Sequence, residues 1–530
     1  MKLSPTRHWK TIAGVLAVIC AVSFLACRPV SVRDSAKPLE LGFWYWHSPM
    51  DISPEETANL KAEGLNKLFV RAGTFSTDGG NAVLVIPQTY RQVPDLETHL
   101  VFNFDAGFVR HFEEFDLNKL SKQISDRIQI QLERVSKAGV KTAGIQLDLD
   151  CPTRLLPRYA QLVRQVRSAF AKDLKWSTTG LMSWLGTPGV ETLSAQLDFI
   201  IPQAYEGVTG RTLSEMRPVS DPDYLKSALP KAEKLRCPYY IGVPAYGHGF
   251  LFDERDRLVD IYQSIGPAEA MIHPSFKFQE AYASDRSGRP AKAASDSVGE
   301  QIVKFKAVRP SPGGRGLNYT LAYTIPAPNV LQEAIQVVRE NAGPNCRGAI
   351  IYRYPEPKST LTLSRSGLLA AVRGERLAPS LKVTTSSAQD TFDLIEGGSR
   401  TKNAPTDFFL TVENPTPVAT FVSPDSIELL IEFNQIGIED VRLRDFEKVE
   451  YGTLDKDGIF TSGPKAQSNA MRLSKSYLGS NERASVGPIR LIETGAQIKQ
   501  FRWIIRNANG FDRHQGSNAT PPETTRKPLK

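Results

Sequence analysis

Clustered histidines and closely spaced cysteine pairs are what this 530-residue chain lacks; it holds seven histidines and five cysteines in all. No Cys-x-x-Cys or His-Glu-x-x-His occurs, so nothing points to a protein-built transition-metal site, and no cofactor is implied. A long apolar run is missing too. The most apolar stretch, Thr11 to Ala26, falls short of the roughly 20 residues a membrane span needs. Charge of one sign is also absent as a block. The formal charge is +8, but Lys2, Arg7 and Lys10 precede Ala26 in a segment without acids, leaving about +5 spread along the rest. That excludes any compositional argument for nucleic acid as a partner. There is no internal repeat. Hydrophobic residues at 41% and aromatics at 9% are ordinary for a packed protein, and the length exceeds one core, so two folded domains plus tails are expected.

The most informative stretch present is Ala143–Pro152, AGIQLDLDCP. It reads as a strand in which Ile145, Leu147 and Leu149 face one way and Gln146, Asp148 and Asp150 the other. Two carboxylates and an amide on one face of a buried strand require a polar cavity, and the carboxyl ends of parallel barrel strands supply one. A surface strand with one solvated face would show the same alternation, but a long amphipathic helix follows, as in a βαβ unit.

Apolar strands alternate with helical patterns along the first two thirds of the chain. The strands are expected at 41–47, 66–73, 99–105, 143–150, 176–184, 197–206, 239–247 and 348–354. Amphipathic helices are expected at 116–138, 156–172, 222–235, 330–341 and 359–373. Eight strands with intervening helices is the count of an α/β (β/α)8 TIM-type barrel, here spanning 39–375 with a polar insertion at 250–328. From Leu381 to Ile505 the pattern changes to short alternating strands such as DFFLTVEN and SIELLIEF without a long helix. An all-β sandwich over 380–512 is therefore expected, with 513–530 a disordered polar tail.

The N-terminus is basic, then apolar, and ends Phe24-Leu25-Ala26-Cys27. This resembles the lipobox of bacterial lipoproteins, which implies a signal peptide over 1–26, cleavage before Cys27, lipidation of its thiol and a tether over 27–38. The expected location is extracytoplasmic, on a membrane through that anchor. Cys20 leaves with the signal, and Cys151, Cys237 and Cys346 remain. Cys237 and Cys346 lie just before strands seven and eight, which are barrel neighbours, so a disulfide between them is expected, with Cys151 left as a thiol.

Four strands resemble glycoside hydrolase family 18, the chitinases and their relatives. That family's fourth strand carries Asp-Gly-x-Asp-x-Asp-x-Glu; here Gly144, Asp148 and Asp150 fall on the Gly, the last Asp and the Glu, while Ala143 and Gln146 replace the first two acids. Gln203-Ala204-Tyr205-Glu206 stands where the family has Met-x-Tyr-Asp, and Gly242–Phe250, GVPAYGHGF, fits its seventh strand. Tyr352 stands at its eighth-strand Trp, and its third-strand Ser-x-Gly-Gly is absent. The run QLDLDCPTRLLPRYAQLVRQVR is also similar to an uncharacterised bacterial family, domain of unknown function 3142, which carries no known activity.

The resemblance implies that the residue at Asp150 protonates the glycosidic oxygen while Asp148 orients a substrate N-acetyl group that attacks the anomeric carbon. Asp150 is one methylene shorter than the family's Glu, which sets the acid roughly an ångström back. Catalytic candidates are Asp150, Asp148, Tyr205 and Glu206; the last could instead face Asp150 as an ordinary acid–base partner. The like charge of Asp148 is expected to raise the Asp150 pKa. Substrate-binding candidates are Trp44, Trp46, Asp105, Gln146, Gln203, Tyr246, His248 and Tyr352. For the aromatics the alternative is core packing, and for Asp105 and Glu206 an ion pair with Arg71 or Arg353. The functional expectation is a lipoprotein whose barrel acts on a poly- or oligosaccharide. The alternatives are an inactive glycan-binding barrel and a structural or interaction lipoprotein.

Overall fold

The computed structural model describes residues 38–516 apart from segments at 206–209, 263, 286, 292–299, 310–316, 357–358, 376–377, 390–405, 456–457, 494 and 508–509. Eight parallel strands form a closed ring: β1 Glu40–Tyr45, β2 Leu65–Asp78, β3 Glu97–Phe104, β4 Thr142–Asp148, β5 Lys175–Leu181, β6 Phe199–Gln203, β7 Tyr239–Pro244 and β8 Cys346–Tyr352. Each pairs with the next, and β1 pairs with both β2 and β8, which closes the barrel. The fold class is therefore the α/β barrel expected from the alternation.

Helices coat the outside because their apolar residues recur at helical spacing. In α1, Leu117–Lys137, the buried positions include Leu120, Ile124, Ile128 and Val135, and the Asp116 carboxylate caps its first turn at 2.8 Å from the Lys119 N–H. Behind β4 runs α2, Leu156–Arg167. Its Tyr159 hydroxyl donates to the Leu147 carbonyl at 3.1 Å and lies 2.6 Å from the Thr178 hydroxyl, fixing the helix to β4 and β5. A further helix of the coat, at Pro54–Ala62, carries little apolar periodicity and is not legible in the sequence. After β2 the chain turns back as an antiparallel strand, Asn81–Val85, in place of a helix.

Inside the ring, Trp44, Phe69, Val101, Phe199, Ile201, Tyr240 and Ile350 form an apolar plug. Burying each such side chain stabilises the barrel by about 1.5–3 kcal/mol. Below the plug, at the amino ends of the strands, Lys67 Nζ lies 2.6 Å from Glu97 and 3.2 Å from Glu40, and His99 lies 3.1 Å from Glu97. Hydrogen bonds from the imidazole and from the amines of Lys67 and Lys175 hold the Glu97 carboxyl well below the usual range. The amino end is thus filled, and the polar space above the plug lies at the carboxyl ends.

The insertion after β7 is a five-stranded antiparallel sheet built from 249–252, 258–261, 276–283, 301–307 and 320–325. Beyond α3, Arg365–Arg373, two antiparallel sheets pack face to face. Leu410, Val412 and Val486 of one share a core with Ile427, Leu429, Ile431 and Ile505 of the other. The final strand runs through Gly516, past the Arg513 at which a disordered tail is expected, because it pairs with 501–507.

The expected Cys237–Cys346 disulfide is not formed. Cys346 is in register with Tyr239, so Cys237 sits two residues off that pair. Strand spacing and rise then put the two Cα atoms about 8 Å apart, beyond bridging range. Burial pushes the Cys237 thiol up to about 12, which also disfavours oxidation. Among the described residues no helix is long and apolar enough to cross a membrane. The signal peptide and Cys27 lie outside the described residues.

Candidate functional site

Strand alternation fixes the floor and walls of one cavity, of about 280 Å³, at the carboxyl ends of the barrel strands. From β4, Asp148 enters it; β5 contributes Thr179, whose hydroxyl donates to the Asp148 carboxylate. Asp150 lies two residues past the end of β4, so its place in the cavity comes from the turn that follows and not from strand alternation. That turn is closed by a 2.8 Å bond from the Cys151 N–H to the Leu149 carbonyl. The Asp150 carboxylate is reachable by solvent yet surrounded on most sides by protein, and this dehydration pushes its pKa up to about 6. Desolvation is the leading cause, in place of the Asp148 charge expected from the sequence.

Aromatic rings line the opposite side. Tyr352, at the end of β8, is their hub: it stacks on Tyr205 at 5.3 Å between centroids and meets Tyr246, Trp46 and Trp44 edge-on at 5.0, 5.5 and 5.9 Å. Gly242 makes room for this, since a Cβ there would press on Trp44 and Tyr205. Trp44 is almost fully buried and forms part of the floor. Its indole N–H donates to Gln146 Oε1 at 2.7 Å, and Gln146 Nε2 donates to Ser177 at 3.3 Å. Gln146 is absent from the cavity lining; it sits below, as the hydrogen-bonded support of the Trp44 ring. The amide expected as a substrate ligand is a positioning residue.

The wall next to the insertion is stitched together by hydrogen bonds from backbone N–H groups. Gly247 N–H donates to Leu361 O at 2.9 Å, His248 N–H to Thr324 Oγ1 at 2.9 Å, and Thr324 N–H to His248 O at 2.8 Å. At Gly247 any Cβ would run into the Thr324 carbonyl, so only glycine permits this approach. His248 lines the cavity edge-on to Tyr246, and burial, then the nearby Arg353, lowers its pKa to about 4, leaving it neutral near pH 7. Gln203 lines the cavity with its side-chain oxygen buried and, among the described residues, without a hydrogen-bond partner.

Asp105 corrects an expectation. Its carboxylate accepts from the Phe108 N–H at 2.7 Å and caps the helix Ala106–His111, so it serves a helix terminus and is absent from the cavity lining. Nor does it pair with Arg353, which instead bonds Glu356 at 2.8 Å. Glu206 lies outside the described residues. Several lining residues were not singled out by sequence reasoning, Thr179, Glu356, Ser359 and Leu361, and Arg353 was named only as an ion-pair partner. Thr179 carries a detectable signal, since Ser177 and Thr179 alternate inward in WSTTGLM. The others come from the end of β8 and the loop after it, and no local pattern says that this loop folds over the mouth.

Residues 114–269 match a family model described as a domain of unknown function, DUF3142. No curated protein matches. The fold is similar to that of the spore cortex-lytic enzyme SleL of Bacillus megaterium QM B1551, at 13% identity and a TM-score of 0.41, over 65% of this chain and 74% of that one. It is also similar to the C-terminal domain of a putative chitinase from Desulfitobacterium hafniense DCB-2, at 12% identity and 0.40, over 64% and 99%. A third likeness is to the class V chitinase of Nicotiana tobaccum, solved as a mutant in complex with NAG4, at 11% identity and 0.36, over 60% and 94%.

Proposed function

We propose that this chain is a glycoside hydrolase acting on an oligo- or polysaccharide in the barrel-mouth cavity. The observation that carries this reading is Asp150: a carboxyl with a pKa of about 6, beside a second carboxylate, facing a wall of tyrosines and tryptophan. A carboxyl that keeps its proton into mildly acidic solution suits a general acid, and flat aromatic rings suit sugar faces. The resemblance of four barrel strands to glycoside hydrolase family 18 supports the same substrate class.

In the hydrolysis, the Asp150 carboxyl gives its proton to the glycosidic oxygen as the C–O bond breaks. Asp148, held by Thr179, stabilises the positive charge that develops at the anomeric carbon. Water supplies the hydroxyl to that carbon and its remaining proton restores Asp150, so atoms and charge balance. Tyr205, Tyr246, Tyr352 and Trp46 hold the sugar.

The test is a glycan-array screen read for both retention and cleavage, with wild type and Asp150→Ala. The reading expects wild type to cleave at least one glycan and the variant to retain it uncut. Retention without cleavage by wild type would move the protein to the inactive-binder reading, which the short Asp150 side chain favours. No retention at all would leave the interaction-lipoprotein reading. We propose in addition that the chain is exported and lipid-anchored at Cys27, which radiolabelled palmitate incorporation lost in Cys27→Ala would support.

A further inference from the structure

The cavity has a second pole that general-acid chemistry does not use. On β2, Phe69 belongs to the inner plug and Arg71, two residues on, points the same way. Arg71 is not itself in the cavity lining; its guanidinium carbon lies behind it, 5.8 Å from the ring centroid of Trp46, which does line the cavity. From the end of β8, Arg353 also lines the cavity. Both arginines keep a buried Nε without a hydrogen-bond partner among the described residues. Glu356 pairs Arg353 at 2.8 Å, but among the described residues no carboxylate lies within ion-pairing distance of Arg71.

Two half-buried guanidiniums close enough to influence each other are unfavourable unless an anion joins them. After burial, the groups acting on Arg71 are Tyr352 and Arg353, and the neighbouring His47 is depressed to about 4 by burial and by Arg353, Arg365 and Arg71. Glu356 offsets the Arg353 charge at 2.8 Å, whereas among the described residues no carboxylate does so for Arg71. Conversely, dehydration accounts for the shift at Asp150, with no arginine acting on it. In a ring of eight strands β8 stands opposite β4, with Trp46 and Tyr352 on the cationic side.

From this segregation we propose that Arg71 and Arg353 form a carboxylate-binding subsite, so that the glycan taken by this cavity carries an acidic sugar. Planar guanidiniums match a carboxylate in two-point geometry, and Trp46 and Tyr352 offer rings for the sugar that bears it. The acidic group would come from a uronate ring or from a lactyl ether. The inference rests on the glycan reading above and adds the charge of the substrate to it.

The test is tryptophan-fluorescence titration of the full chain with matched probes. One pair is a tetraglucuronate against its carboxyl-reduced tetrasaccharide; the other is N-acetylmuramate against N-acetylglucosamine. Wild type should bind the acidic member of one pair about tenfold or more tightly, and the favoured pair identifies the source of the carboxylate. Arg71→Gln should lose that preference while keeping the affinity for the neutral member, and Arg71→Lys should keep part of it, with thermal melts confirming that both fold. Equal affinity for acidic and neutral members, or a preference that survives Arg71→Gln, overturns the subsite and leaves the glycan reading standing. Binding of no sugar in either pair overturns both.

Discussion

At the scale of single residues, Asp150 and Gln146 show how far alternation carries. Period-2 spacing puts both on one polar face, and both are polar for a reason, but the reasons differ. Gln146 is locked under Trp44, whereas Asp150 stands in the cavity. Replacing Gln146 with Leu leaves the buried Trp44 N–H without its acceptor and should cost roughly 1–3 kcal/mol in denaturant unfolding. Asp150→Asn should act in the opposite sense, and its sign follows from linkage. With a folded pKa of about 6 against an ordinary 3.8, the folded chain keeps a proton that the unfolded chain has lost. Stability from this group is therefore lost as pH rises through that window. Melting temperatures of Asp150→Asn and wild type should coincide near pH 3.5, separate between pH 3.8 and about 6 and stay apart above, with the variant higher; parallel curves at all pH values would show that Asp150 is not strained by dehydration.

At the scale of elements, strand positions were legible and their junctions were not. All eight barrel strands and the helices near 116–138, 156–172 and 330–341 announce themselves by periodicity, because each buries one stripe or both faces. The 250–328 insertion reads as polar, yet folds as a sheet that closes by pairing its first strand, 249–252, with its last, 320–325, about 70 residues on. Its Glu300 was equally hidden. This carboxyl is fully buried and accepts from Val219 N–H at 2.9 Å and Ser220 N–H at 3.3 Å, tying the insertion to the loop after β6. Burial raises its pKa to about 8, so stability is lost as pH rises through the interval between the ordinary glutamate value and 8. Glu300→Gln cannot accept both bonds and should cost about 1–2 kcal/mol at pH 6. It should also abolish the loss of stability between pH 6 and 8, measured as the urea midpoint. A wild-type midpoint that does not move over that interval would contradict the burial argument.

At the scale of the whole molecule, composition and periodicity separate a barrel from a β region but do not say how firmly they join. Gln301 of the insertion makes two bonds to Val422, donating to its carbonyl at 2.8 Å and accepting from its N–H at 3.1 Å, and Val422 packs into the insertion core. Ser366 of α3 meets Ser480 at 2.8 Å. Proteolysis between Arg373 and Leu381 should therefore yield two fragments that co-elute in gel filtration, and Gln301→Ala should let them part. Separation of the wild-type fragments on cutting would mean that these contacts are too weak to dock the two regions. The central claim concerns the cavity that this scaffold holds open, and the pH–rate profile of hydrolysis tests it most directly. On a glycan that wild type cleaves, kcat/KM should fall about tenfold per pH unit above pH 6 as Asp150 loses its proton, and Asp150→Asn should show no turnover at any pH. Hydrolysis by Asp150→Asn at the wild-type rate would contradict the account.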